Sequence, residues 1–145
     1  MKLTCPKSEL NEALNNVIRA VPQKSPISAL TAVKLTVNKN VLELTGYDLE
    51  LGIRTKINIE SDDMGEILID SRLFSVIVRK MPSETISIEV DGNLTATIKG
   101  DKAEYKILAM SADDYPSIPD YDSGDNFTVP QALLKNMINQ TIFAV

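Results

Sequence analysis

Two carboxylates, Asp48 and Glu50, stand two residues apart in the run TGYDLEL, at the expected start of a strand. Alternate strand residues point the same way, so this pair could bind a cation or act as acid and base. The competing structural reading is a turn residue beside a strand-face residue. Asp113-Asp114 precedes Tyr115-Pro116 in a loop with too little apolar cover to raise a carboxylate pKa. Histidine is absent, which removes the commonest residue of zinc, haem-iron and acid/base sites and argues against a hydrolase. The single cysteine, Cys5, excludes an internal disulfide and suits small apolar packing. No glycine-rich phosphate loop, nucleophile elbow or metal-ligand spacing occurs, so neither a cofactor nor a metal is expected.

The basic residues form a tighter pattern. Residues 71–81 hold Arg72, Arg79 and Lys80 with no acidic residue, a local charge of +3. Arg72 and Arg79 are seven apart and share one face of a helix, opposite its apolar stripe. Arg19 closes the preceding helical pattern and Lys24 follows it, so a positive surface could run along two neighbouring helices. The alternative is solvated charge, since Lys and Arg face water almost everywhere. The net charge of −5 does not decide the matter. Five aspartates, Asp113, Asp114, Asp120, Asp122 and Asp125, fall within residues 111–126; outside that stretch 15 acidic residues face 15 basic ones. The acidity belongs to a connector, and a nucleic-acid partner stays open.

The elements that must position these residues follow from periodicity. Residues 2–5 read as a short strand, and Pro6 suits the first turn of a helix. Leu10, Ala13, Leu14, Val17, Ile18 and Val21 form its apolar stripe, ended by Pro22. Val33, Leu35 and Val37, then residues 41–45, then Leu49, Leu51, Ile53, Thr55, Ile57 and Ile59 alternate as one-side-buried antiparallel strands. Residues 62–65 turn the chain into a strand at 66–69. Asp70 or Ser71 caps a second helix with Leu73, Phe74, Ile77, Val78 and Met81 as its apolar positions. Three more alternating runs, Ile86/Ile88/Val90, Leu94/Ala96/Ile98 and Ala103/Tyr105/Ile107, are joined by turns at Asp91-Gly92 and Gly100-Asp101. The order is β-α-β-β-β twice, an α+β fold with two helices packed on antiparallel sheets.

Residues 126–145 repeat residues 2–21. Seven of twenty positions are identical, among them Thr4/Thr128, Pro6/Pro130, Leu10/Leu134 and Val21/Val145. A repeat at an offset of 124 is a domain rather than a solenoid unit. The expected organisation is one domain over 1–121, then a linker and the opening strand and helix of a second domain over 122–145. In the second copy Leu134, Met137, Ile138, Ile142 and Val145 make an apolar stripe that must find cover or stay exposed.

Several separated motifs, MKLTCPKSELNEALNNVIRAVPQKSPISAL, LTGYDLELGI, IDSRLFSVIVRKMP and SADDYPSIP, resemble in order the first domain of the bacterial DNA polymerase III beta subunit, the sliding clamp. FTVPQALLKNMI resembles the start of that family's second domain. The resemblance implies a protomer of three like domains, two protomers forming a head-to-tail homodimeric ring around duplex DNA, with helices lining the hole. It implies a non-catalytic, cytoplasmic processivity factor that tethers the replicative polymerase, with polymerase and clamp loader engaging domains outside this sequence and no membrane role. By position, Lys24, Arg72 and Arg79 match basic DNA-contacting positions, and Lys80 joins them by charge and spacing. The edge near residues 102–108 resembles the segment that meets the other protomer, although Glu104 departs from the basic character a charge-paired joint would need. The alternative function is a small acid-dependent enzyme or cation-binding protein using Asp48 and Glu50.

Overall fold

The computed structural model describes residues 1–119 and 127–145. Its elements are β1 (Lys2–Pro6), α1 (Lys7–Val17), β2 (Ala32–Asn38), β3 (Val41–Tyr47), β4 (Gly52–Asn58), β5 (Met64–Asp70), α2 (Ser71–Lys80), β6 (Thr85–Val90), β7 (Thr95–Lys99), β8 (Glu104–Leu108) and α3 (Gln131–Thr141). Through β8 this is β-α-β-β-β twice, as periodicity predicts. The two halves interlock: the sheets run β4-β3-β2-β5 and β1-β6-β7-β8, so each half lends its first strand to the other half's hairpins. β1 pairs antiparallel with β6, Leu3 opposite Ile88 and Cys5 opposite Ile86, and β5 pairs with β2, Ile69 opposite Val33.

The outer edges of the lent strands are pinned as well. Thr4 and Glu60 exchange backbone hydrogen bonds of 3.0 and 2.8 Å, and Leu68 and Met110 exchange two of 2.9 Å. These pairs satisfy backbone groups that a free edge would leave to water. The main core lies between helices and sheets: Leu10, Leu14 and Val17 of α1 and Phe74, Ile77 and Val78 of α2 meet Leu35, Leu44, Ile69, Ile86, Ile88 and Ile98. Burying each such side chain contributes about 1.5–3 kcal/mol.

Local chemistry shifts several expected boundaries. Pro6 stands just outside α1 as its N-cap, because the Lys7 N–H is held by the Glu84 carbonyl at 2.8 Å while Pro6 still pairs with Thr85 in the sheet. Leu49 and Leu51 do not point inward; they are 52% and 48% exposed in the turn between β3 and β4. The Asp48 carboxylate accepts from Glu50 N–H at 2.9 Å and Leu51 N–H at 2.6 Å, and Leu49 takes a φ of 81°, which ends the alternation. The turn at Asp91-Gly92 is longer than two residues, since Asp91 Oδ1 accepts from both Asn93 and Thr95 and Leu94 has a φ of 59°. Leu94 therefore precedes β7 rather than starting it. Leu73 faces solvent, 46% exposed.

The stretch after β8 is more than a connector. Ala112 and Tyr115 are buried in a second cluster with Ala29, Leu30, Ala32, Tyr47 and Leu68, and Ile118 packs against it. The Lys34 ammonium stands 5.9 Å from the Tyr115 ring centroid, and Ile118 lies over Gly52. Residues 111–118 thus form a strap across the face of the β4-β3-β2-β5 sheet that turns away from the helices. Burial, ahead of its Tyr47 neighbour, pushes the Tyr115 phenol up to about 12, so it stays protonated. The domain boundary expected at 121/122 and Asp120, Asp122 and Asp125 lie outside the described residues.

The repeated segment reproduces the helix and the turn after it residue for residue. α1 and the 3₁₀ turn Ile18–Ala20 recur as α3 and the 3₁₀ turn Ile142–Ala144, each helix entered through a proline with ψ near 131–132°. Burial does not recur: Leu10 is fully buried, whereas its counterpart Leu134 is 48% exposed, and no residue of α3 is buried. No strand forms at residues 127–130, because among the described residues nothing pairs with them as β6 pairs with β1.

Two measurements check this architecture. A Cβ at Gly46 would overlap the Val17 carbonyl and lie 2.9 Å from Val21 Cγ2. Gly46→Ala is therefore expected to lower stability by about 1–3 kcal/mol in urea unfolding, with an unchanged m-value. The two backbone N–H bonds, Leu51 before Glu50, hold the Asp48 carboxyl below the usual carboxylate range. A depressed folded pKa stabilises above the unfolded value and is lost as pH falls through the folded one. Asp48→Ala should thus be less stable than the parent at pH 7, and the gap should close on acidification below about pH 4. A gap independent of pH would show that the charge of Asp48 plays no part in holding this turn.

Candidate nucleic-acid interface

α2 is built to show one basic face. Asp70 caps it, accepting from Leu73 N–H at 2.8 Å, and the Ser71 hydroxyl donates to Thr31 O at 2.8 Å. Phe74, Ile77 and Val78 turn into the core beside α1. The opposite face is exposed and carries Arg72, Leu73, Val76, Arg79 and Lys80. Spacings of three and four place Val76 among Arg72, Leu73, Arg79 and Lys80, with the arginines about 10 Å apart along the axis. Arg79 and Lys80 occupy the last turn, where cations suit the helix dipole.

Lys24 is exposed in the loop after α1, and the Arg72 guanidinium donates from Nη2 to the Gln23 carbonyl at 3.0 Å. That bond brings the Lys24 loop to the start of α2. Three of the four basic residues singled out from sequence therefore lie along one helix face, and the fourth sits next to a residue tied to it. The surface does not extend evenly along α1: Glu9 and Glu12 are exposed on that helix or at its margin, and Arg19 stands at its far end.

Ion pairing separates these cations from four on the sheets, though not from Lys2, Lys7, Lys39, Lys102 or Lys135, which have no ion pair among the described residues either. On the sheets, Lys34 pairs with Glu66 at 2.7 Å, Lys56 with Glu43 at 3.4 Å, and Lys99 and Lys106 with Glu104 at 3.4 and 3.6 Å. Among the described residues, Arg19, Lys24, Arg72, Arg79 and Lys80 have no acidic partner within ion-pair distance. Their charge is not neutralised by any carboxylate of the described residues.

The other candidates do not assemble into a reactive site. Asp48 is occupied by its own turn, and Asp48 and Glu50 do not share a strand face. Among the described residues no group of three or more His, Cys, Asp or Glu is placed to hold a metal ion. Burial, with a smaller push from the Glu9 charge, raises the Cys5 thiol to about 12, so it offers no thiolate near neutrality. A groove of about 600 Å³ between Pro6, Lys7, Ser8, Asn11, Ser83, Glu84 and Thr85 is open, and the Lys7 ammonium there donates to the Met81 carbonyl at 2.7 Å rather than pairing with Glu84.

Sequence reasoning missed three contributors. Leu73, expected inward, and Val76 put apolar surface within the basic face, and the Gln23 carbonyl accepts from Arg72, a bond that no local pattern signals. The β8 edge is exposed, with Leu108 77% accessible, and Glu104 there is shared by Lys99 and Lys106.

Comparison with known proteins agrees with this architecture. The family model described as DNA polymerase III beta subunit, N-terminal domain, matches residues 1–119. A beta sliding clamp of Bacillus subtilis (strain 168) is 35% identical over 100% of this chain and 40% of its own length. A beta sliding clamp of Chlamydia muridarum is 30% identical over 100% of this chain and 40% of its own. The crystal structure of the DNA polymerase sliding clamp from Bacillus subtilis superposes with a TM-score of 0.93 at 32% identity, covering 99% of this chain and 40% of that one. The chain thus spans about two fifths of the length of the relatives it matches, and with its interlocked sheets and outward basic helix it belongs to the DNA polymerase III beta subunit family, its residues 1–119 matching that family's N-terminal domain.

Proposed function

We propose that this chain serves as the first domain, over 1–121, and the opening element of the second, over 122–145, of a sliding clamp that encircles duplex DNA and tethers a replicative polymerase. The observation that carries this reading is a cluster: Arg72, Arg79 and Lys80 share one exposed helix face that holds no acidic residue, Lys24 lies in the loop tied to it, and among the described residues none of the four has an acidic partner. Phosphates are the anions such a face suits, and contacts to phosphate carry no sequence information, which is what sliding requires. The names of the relatives, beta sliding clamp, support the same reading.

On this reading the protein performs no chemistry. It acts in the cytoplasm as a head-to-tail homodimer, and polymerase and clamp loader engage regions other than this domain. No helix among the described residues is long and apolar enough to cross a membrane. The β8 edge, with exposed Tyr105 and Leu108, is the proposed meeting place with the other protomer. Glu104, already held by two lysines, would contribute there through its backbone rather than its charge. The recurrence of α1 as α3, with its apolar stripe uncovered, supports a second domain of the same kind.

Reversing Arg72 and Arg79 to Glu should weaken duplex binding while leaving the unfolding midpoint little changed, since both side chains point away from the core. For every phosphate the variant no longer neutralises, the log–log salt slope should fall in magnitude by roughly 0.9. A folded double variant with the parent's slope would return these residues to ordinary solvated charge. The 145-residue chain by itself should bind circular and linear duplex alike at low salt and be washed from both at moderate salt. Selective retention on circles would show that this portion encloses DNA alone.

A further inference from the structure

We infer that Arg72 is a positioning residue for the loop carrying Lys24, fixing where that cation meets a nucleic-acid phosphate. The inference deepens the phosphate-contact reading above and rests on it. Lys24 lies in a stretch without helix or strand, between Pro22 and Pro26. The Ile27 N–H to Ser25 Oγ bond of 3.1 Å there is local. The Arg72 to Gln23 bond is not: it spans 49 positions and ties the residue beside Lys24 to the first turn of α2. A second tie closes the same excursion further along, where the Ser71 hydroxyl holds the Thr31 carbonyl at 2.8 Å. Adjacent residues at the start of α2 thus grip the loop on either side of Lys24. The two prolines restrict its φ angles, so few contacts suffice to select one conformation.

The electrostatics give the bracket its direction. Gln23 O uses one guanidinium donor of Arg72, and the fork has five. The remaining donors stay available to a phosphate, while the bond holds Gln23, the residue next to the second cation, against the first. Without an anion that proximity is repulsive; with a phosphate on the face it becomes a two-point site. Arg79 lies two turns further on with no link to the loop, which makes it the matched control.

The test uses the 145-residue chain and its Arg72→Met, Arg72→Lys, Arg79→Met, Lys24→Ala and Arg72→Met/Lys24→Ala variants. Without DNA, cleavage after Lys24 by a lysine-specific protease should quicken about fivefold in Arg72→Met, equivalent to about 1 kcal/mol of weakened loop closure. Arg72→Lys, which keeps a donor and the charge, should recover part of the protection, and Arg79→Met should match the parent. With a short duplex at low salt, Arg72→Met should cost more affinity than Arg79→Met. Lys24→Ala should cost less in the Arg72→Met background than in the parent, the non-additivity expected when one residue places another. Parental cleavage in Arg72→Met overturns the positioning role whatever the DNA result. Faster cleavage in Arg72→Met with duplex binding indifferent to Lys24→Ala leaves the bracket standing and overturns the phosphate role.

Discussion

Strand exchange between the halves is the constraint on which the rest of this structure depends. β1 completes the sheet of β6, β7 and β8, and β5 completes the sheet of β2, β3 and β4. Neither half can close its own sheet, so neither can present α1 or α2 with a full apolar floor. Once both strands are lent, the helices pack against each other and the sheets, and the opposite face of α2 must turn outward. The position of Arg72 and Arg79 is thus a consequence of how β1 and β5 pair, two elements that carry no functional side chain of their own.

Charge follows the same division. The strands put Lys34, Lys56, Lys99 and Lys106 within reach of glutamates on the same or neighbouring strands, and exposed pairs of this kind contribute little stability. Their effect is to neutralise those four lysines locally. α2 lacks acidic residues, so nothing on its face does the same. A chain of net charge −5 can therefore carry a local positive surface without contradiction.

Much of this was legible in the sequence because a one-sided sheet imposes a period of two and a half-buried helix a period near 3.6. Val33, Leu35 and Val37, Ile86, Ile88 and Val90, and the alternation of Arg72 and Arg79 with Phe74, Ile77 and Val78 obeyed those periods. Most of the failures share one cause, a side chain acting on backbone that periodicity does not see; Leu73 is the exception. Asp48 folded its own turn and carried Leu49 and Leu51 out of the strand; Asp91 lengthened its turn and displaced Leu94. Leu73 stands four before Ile77 and so fell in the apolar phase, but the buried stripe is centred on Phe74, Ile77 and Val78. Arg72 and Gln23 lie 49 apart, a distance at which no local pattern announces a bond.

The strap of residues 111–118 has a mechanical meaning. Laid across a sheet and held by Tyr115 and Ile118, it takes up contour length that would otherwise be free loop. Eight residues drawn out would span roughly 25 Å. With Tyr115 seated in its cluster and Ile118 against Gly52, the strap is held at both points, so its path across the sheet is set by packing rather than by the freedom of the chain. The second apolar cluster therefore fixes the course of the chain after β8 and, through Ala29, Leu30 and Ala32, also anchors the segment whose Thr31 carbonyl is held by Ser71 at the start of α2.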